Sequence, residues 1–197
     1  MKLFFDILTT ALYTVFIQNL VFSGGYGSSE AVRTAAKPRR FFLYAGFIVY
    51  FSVSVSLLCR LADNIPAISA AGNAAHLAVS GGILVLVYLL TSVFMHIVLK
   101  AETKFLNALG IAALNTLVLA IPLINRRAAN SAAQSVGTGL GAGFAFIVAV
   151  ALIGRGMQTL SANKNIPSAF QGTPAVFLYI ALLSLAFTGF SGSSLFV

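Results

Sequence analysis

The chain has 197 residues, of which 59% are hydrophobic and only 8% charged. A soluble domain carries roughly 25% charged residues, so these figures, with a mean hydropathy of +0.96, exclude an ordinary soluble enzyme and indicate an integral membrane protein. The net charge of +8 sits in connections between apolar runs, which marks orientation in a bilayer and argues against nucleic-acid binding.

The apolar runs are long and lack the alternation of a membrane β-barrel, so the expected class is an all-α integral membrane protein. The single cysteine, Cys59, rules out an intrachain disulfide and a cysteine-only metal or iron–sulfur site within this chain. Met1-Lys2 before an apolar run has the outline of a signal peptide. The run is long, however, holds Asp6, Gln18 and Asn19, and is followed by no clean small-x-small cleavage site. It is read as the first span, Leu3–Phe22.

That span is interrupted by Gln18-Asn19 and passes into Ser23–Ser29, a polar, glycine-rich stretch. Two readings of the stretch stand side by side: a broken or re-entrant helix lining a protein-enclosed site, and a flexible loop. Glu30–Arg40 is a basic connection with Arg33, Lys37, Arg39 and Arg40. The second span is about Phe41–Leu58, where Ser52 and Ser56 share a face suited to close helix packing. Cys59 follows it as a small buried hydrophobe.

Asp63-Asn64-Ile65-Pro66 reads as a turn within a connection, Arg60–Ala78. His76 lies there alone, with no second His or Cys at ligand spacing, and is expected to be solvated. The third span is about Val79–Leu99, with His96 near the interface. The fourth is Phe105–Asn125, which carries Asn115-Thr116 in its middle and Pro122 near its end. An amide in hydrocarbon costs free energy unless a partner satisfies it. Gln18, Asn19, Asn115 and Thr116 are therefore the candidate polar centre, placed where two helices break. The fifth span is about Ser135–Ile153, in which Gly137/Gly141 and Gly139/Gly143 form two small-residue faces. Its glycines lack the preceding strand and Lys-Ser/Thr pair of a nucleotide loop. Arg155–Gln171 is a polar connection, and the sixth span is about Pro174–Phe190.

Six spans in one domain, 1–197, divide into two halves of three, about 1–100 and 101–197. Three is odd, so the halves would insert with opposite topology, the inverted-repeat plan, with the first helix of each repeat as the broken one. Eight Lys/Arg lie in the first, third and fifth connections against four on the other side, which places the odd loops in the cytoplasm and both termini outside. No Asp or Glu occupies the middle of a span, Asp6 being close to one end.

Asn165–Gly172 and Ser184–Gly192 together carry Pro167, Phe170, Gly172, Ser184, Leu185, Ala186, Phe187, Gly189, Phe190, Ser191 and Gly192. This pattern resembles that of a family of membrane subunits. The family comprises the A subunit of the Rnf ion-translocating electron-transport complex and the E subunit of the sodium-pumping NADH:quinone oxidoreductase (Nqr). Asn19-Leu-Val, Leu109-Gly110 and Asn115 are weaker echoes. The resemblance implies a multi-pass subunit of a bacterial inner membrane complex, paired with a homologous six-helix subunit of opposite topology and with other Rnf/Nqr-like subunits. It also implies a [2Fe–2S] cluster shared with that partner through cysteines at the two breaks.

Here the sequence departs from the family. Thr116 stands where the family has cysteine, and Ser23–Ser29 has none. A threonine hydroxyl is a poor substitute for thiolate on iron. The expectation is thus a subunit with a scaffold or ion-path role, no catalytic or metal-binding residues and no cofactor of its own. The alternatives are a small solute or cation transporter using Asn19, Asn115 and Thr116, or an assembly protein.

Overall fold

The structure is a computed structural model and describes residues 1–37, 41–70 and 72–192. Arg39 and Arg40, counted above for orientation, lie outside the described residues. Among the described residues every regular element is helical. In chain order the helices are α1 (Lys2–Leu12), α2 (Leu20–Ser23), α3 (Ser28–Ala36), α4 (Phe41–Ala62), α5 (Pro66–Ser69), α6 (Asn73–Ile97), α7 (Thr103–Ala113), α8 (Thr116–Arg127), α9 (Ala132–Ala162) and α10 (Thr173–Ser191). A π-helical turn, Tyr13–Ile17, continues α1, and a 3₁₀ turn, Ser168–Phe170, precedes α10.

Five helical stretches are long and apolar enough to cross a bilayer: Phe41–Ala62, Ala74–Ile97, Thr103–Arg127, Ala132–Ala162 and Thr173–Ser191. The sequence led to an expectation of six. The first apolar segment is not among the five because its helix stops at Ile17 and Gln18 leaves helical geometry at φ −110°, ψ 60°. The outward sides of α6 and α10 leave Val85, Leu86, Leu89, Val93, Phe177, Leu182 and Leu185 exposed. Such a surface is stable against lipid or another apolar helix, not against water.

The centre is α9, which packs against α1, α3, α4, α8 and α10. It opens with a capping box: Gln134 N–H donates to Ser131 Oγ at 3.3 Å, and Ser131 N–H donates to Gln134 Oε1 at 2.8 Å. That arrangement satisfies two otherwise orphaned donors. Its two glycine faces have different neighbours. A Cβ on Gly137 or Gly141 would run into Ile7, Thr10, Ala11 and Thr14 of α1 and its π turn, and one on Gly139 or Gly143 into Val53, Val49 and Ala45 of α4. Small residues let these backbones approach closely, which is how helices associate when both sides are apolar.

Several expected boundaries are corrected. The fifth span continues to Ala162, well past Ile153, so Arg155 is helical. The extension holds because Tyr179 of α10 lies over Gly156 and donates its hydroxyl to Leu152 O at 3.1 Å. The basic connection Glu30–Arg40 contains α3, whose Ala31 is fully buried against the core. The third span begins at Asn73, so His76 lies in its first turn. It is not solvated: it is 6% exposed, with Nδ1 3.3 Å from Asp63 Oδ1. Its partner comes from the end of α4, a tertiary pairing that local sequence does not display. Cys59 is half-buried and His96 exposed. Ser52 and Ser56 are both buried, and Ser56 Oγ accepts from Asn125 Nδ2 at 3.2 Å.

Candidate functional site

Both asparagines picked out by the sequence stand at the first cap of a half-helix. Asn19 is extended (φ −63°, ψ 104°), and its Oδ1 accepts from Val21 N–H at 3.1 Å and Phe22 N–H at 3.4 Å, opening α2. Asn115 is likewise extended (φ −67°, ψ 131°), and its Oδ1 accepts from Leu117 N–H at 2.9 Å, opening α8. A helix start deep in apolar surroundings leaves donors that water cannot reach, and an asparagine oxygen is among the best caps for them.

The two amides differ at their other end. Asn19 Nδ2 donates to Val15 O at 3.2 Å and reaches Ala145 O on α9 at 3.4 Å. Asn19 thereby ties the end of the first half-helix, the start of the second and the central helix together. Asn115 is equally buried, but its Nδ2 has no hydrogen-bond partner.

No hydrogen bond joins Asn19 to Asn115 among the described residues. The breaks are linked instead through the glycine loop between α2 and α3. Tyr26 N–H donates to Leu20 O at 3.2 Å, and Gly27 N–H donates to Thr116 Oγ1 at 2.9 Å. Gly27 has φ +71°, and a Cβ there would stand 2.7 Å from Asn115 Oδ1 and 3.3 Å from Leu117 Cβ. Only glycine meets both demands, a left-handed backbone and contact with the second break. Of the two readings of Ser23–Ser29, the geometry is that of a broken helix whose irregular backbone packs against protein.

Thr116→Val would remove the acceptor for Gly27 N–H while keeping the shape. The expected loss is about 1–2 kcal/mol, seen as a lower thermal midpoint in detergent, with Thr116→Ser close to the parent.

Gln18 is exposed and does not join this hydrogen-bonded centre. It lines two cavities that share Tyr13, Gln18, Leu20, Ile124 and Ala128. One, of about 350 Å³, is further lined by Thr9, Thr10, Thr14, Asn130 and Thr138. The other, of about 600 Å³, is further lined by Ser23, Gly24, Tyr26, Arg127, Thr188 and Ser191. Together they form a hydroxyl-rich recess beside the first break. The threonines of α1 were not singled out in the sequence. Thr10 and Thr14 are four apart, a spacing that puts them on one helical face.

The C-terminal motif residues organise α10. Gly172 begins it at φ +76°, ψ −128°, and Gly192 ends it at φ +68°, both backbone states that favour glycine. Phe187 stacks on Phe22 of α2 with ring centroids 4.8 Å apart, so the motif helix braces the first break. Pro167 precedes the 3₁₀ turn, while Phe170 and Phe190 are exposed. Ser184 O accepts from Thr188 Oγ1 at 2.8 Å, and Gly189 O from Gly192 N–H at 3.3 Å.

Known proteins share part of this chain. No family model matches it. A stretch of 104 residues, 50% of this chain and 53% of the relative, is 38% identical to the A subunit of the ion-translocating oxidoreductase complex of Rhodobacter capsulatus. Over half its length the chain is homologous to that kind of subunit. The same-named protein of Aromatoleum aromaticum is 41% identical over 78 residues, 40% of each chain. The A subunit of the proton-translocating ferredoxin:NAD(+) oxidoreductase complex of Clostridium ljungdahlii is 32% identical over 100 residues, 49% of this chain and 51% of the relative. These matches span about half the length of the curated relatives. The resemblance to the Rnf family read from the sequence is thus also found by comparison.

Proposed function

We propose that the chain is a membrane subunit of an Rnf/Nqr-like ion-translocating electron-transport complex, with a scaffold or ion-path role. The observation that carries this is the similarity, at 38% identity over half the chain, to a protein named for such a complex. The apolar outer faces of α6 and α10 support it, since a component of a membrane assembly needs such surfaces. In this reading the broken first segment, about Leu3–Phe22, is a sixth crossing, and the halves 1–100 and 101–197 are inverted repeats. Matching asparagine caps at the two breaks support that symmetry. The odd connections face the cytoplasm, both termini lie outside, and the membrane is the bacterial inner membrane. The partners are a homologous six-helix subunit of opposite topology and the complex's redox subunits. Affinity purification from native membranes in mild detergent tests this. Recovery with a six-helix paralogue and with flavin or iron–sulfur subunits is expected; recovery of the chain alone would overturn it.

The [2Fe–2S] cluster that the resemblance implies does not fit the donors at the breaks. Thiolate is what holds such clusters. The second break offers the Thr116 hydroxyl, already accepting from Gly27, and the Asn115 amide. Cys59 lies near Pro122 and Leu123, roughly 9 Å further along α8 than Thr116 at 1.5 Å per residue. We therefore read the chain as supplying no ligand to a cluster.

One observation favours a second reading. The hydroxyl-bearing recess around Gln18, lined also by Arg127, suits a small polar solute handled by this chain alone. Proteoliposomes holding only this chain separate the two: solute or ion flux there would support a transporter, and an inert bilayer would support membership of a complex.

A further inference from the structure

We infer that His76 is a proton-binding site at the end of the bundle away from Thr116, set by Asp63 and coupled to Arg126. Three elements converge there: the end of α4 with Cys59 and Asp63, the first turns of α6 with His76 and Ser80, and the last turn of α8 with Arg126. They enclose a cavity of about 20 Å³, room for a single water molecule and for no solute. Among the described residues no group of three or more His, Cys, Asp or Glu side chains is placed to hold a metal ion, so the ligand this site can take is a proton.

The arrangement fixes which nitrogen takes it. A carboxylate only accepts hydrogen bonds. Asp63 Oδ1, 3.3 Å from Nδ1, therefore favours the neutral ring with its proton on Nδ1. That leaves Nε2 as the bare nitrogen, and Nε2 is buried without a hydrogen-bond partner. This is the geometry in which a carboxylate orients an imidazole so that its far nitrogen can accept a proton.

Arg126 sits 3.3 Å from the same carboxylate oxygen and also donates to Ser69 O at 3.3 Å. It thus ties α8 to α5 through the Ser69 carbonyl and to the end of α4 through the carboxylate it shares with His76. Asp63 and Arg126 sum to zero charge. A proton on Nε2 makes the group +1, and two cations then compete for one oxygen. Proton uptake at His76 and the hold of Arg126 on the α4–α6 connection are consequently linked, each altering the other by the same free energy. Among the described residues the titratable or charged groups lining this cavity with the ring are Cys59 on α4, Asp63 in the turn after it and Arg126 on α8. The inference does not depend on the proposed membership of a complex, since it concerns this chain by itself.

The test is imidazole NMR of the full chain in nanodiscs with isotope-labelled histidine, His96→Gln serving to assign the two signals. His76 should hold its proton on Nδ1 when neutral and should titrate between about pH 4 and about pH 9. Asp63→Asn and Arg126→Gln each remove a charge beside the ring, so each should change its midpoint, the two ending at least about one pH unit apart. Arg126→Lys should stay near the parent. If Asp63→Asn does not fold, the parent, Arg126→Gln and Arg126→Lys still decide. A His76 ring that keeps one protonation state across that range, or an Arg126→Gln midpoint equal to the parent's, would overturn the inference.

Discussion

Gly141→Leu will yield no monodisperse protein in detergent, and Gly141→Ala will fold with a lower thermal midpoint. A Cβ at Gly141 would stand 2.8 Å from Ala11 O and 2.7 Å from Thr14 Cβ. The first of these is backbone, so α1 itself must move. Overpacking of this kind costs about 1–3 kcal/mol for a methyl, and leucine multiplies the displaced volume. The control is Gly82→Ala in α6, where nothing lies within 4 Å. That variant should match the parent or exceed it slightly, because alanine is the better helix former by about 1 kcal/mol. Thermal unfolding monitored by circular dichroism and elution by size-exclusion chromatography read both outcomes. Equal behaviour of Gly141→Ala and Gly82→Ala would mean that α1 and α9 do not pack as described.

The second large effect separates the two asparagines. Asn19→Leu removes the acceptor for two backbone donors and the donor to two carbonyls, all in buried surroundings. Each buried group left unpaired costs about 1–3 kcal/mol, so a total loss of about 3–5 kcal/mol is expected. Asn115→Leu removes one accepted bond and disposes of an amide nitrogen that has no partner. Its expected cost is about 1 kcal/mol, near that of a lost helix cap. The ordering is the test: Asn19→Leu should be much the worse in unfolding midpoint. If Asn115→Leu were as damaging, the second break would carry a bond that the present geometry lacks.

How much of this was legible beforehand follows from the range over which each signal acts. Asn19 and Asn115 announce helix starts because a capping side chain works within three residues of itself, and an amide inside an apolar run has few other uses. The glycine pairs of α9 announce packing faces for the same local reason, since four residues return to one side of a helix. The partners of those faces, α1 and α4, are not local and could not be read. His76 shows the limit most clearly. Its partner Asp63 is thirteen positions earlier, in the turn that follows α4, and only the packing of α4 against α6 brings them together. The length of α9 was underestimated because Gly154, Arg155 and Gly156 look like a boundary. Tyr179, on a different helix, covers Gly156 and keeps the turn helical. In the first segment the break was legible: Gln18 and Asn19 divide an apolar run long enough to cross a membrane, and the helix ends there, at Ile17.

The homologous proteins and the broken helices together define what is distinctive here. Gly27 N–H and the Thr116 hydroxyl form a cross-link beside the Asn115 cap, at the break where the resemblance implies a cluster-binding cysteine. Metal analysis tests this directly. The full chain, expressed with iron and sulfide supplied and purified without oxygen, is assayed for iron per polypeptide and for visible absorption. The prediction is less than about 0.1 iron per chain, with the same result for Cys59→Ser, because hydroxyl and amide donors do not hold an iron–sulfur cluster. Stoichiometric iron with a thiolate charge-transfer band in the parent would contradict it.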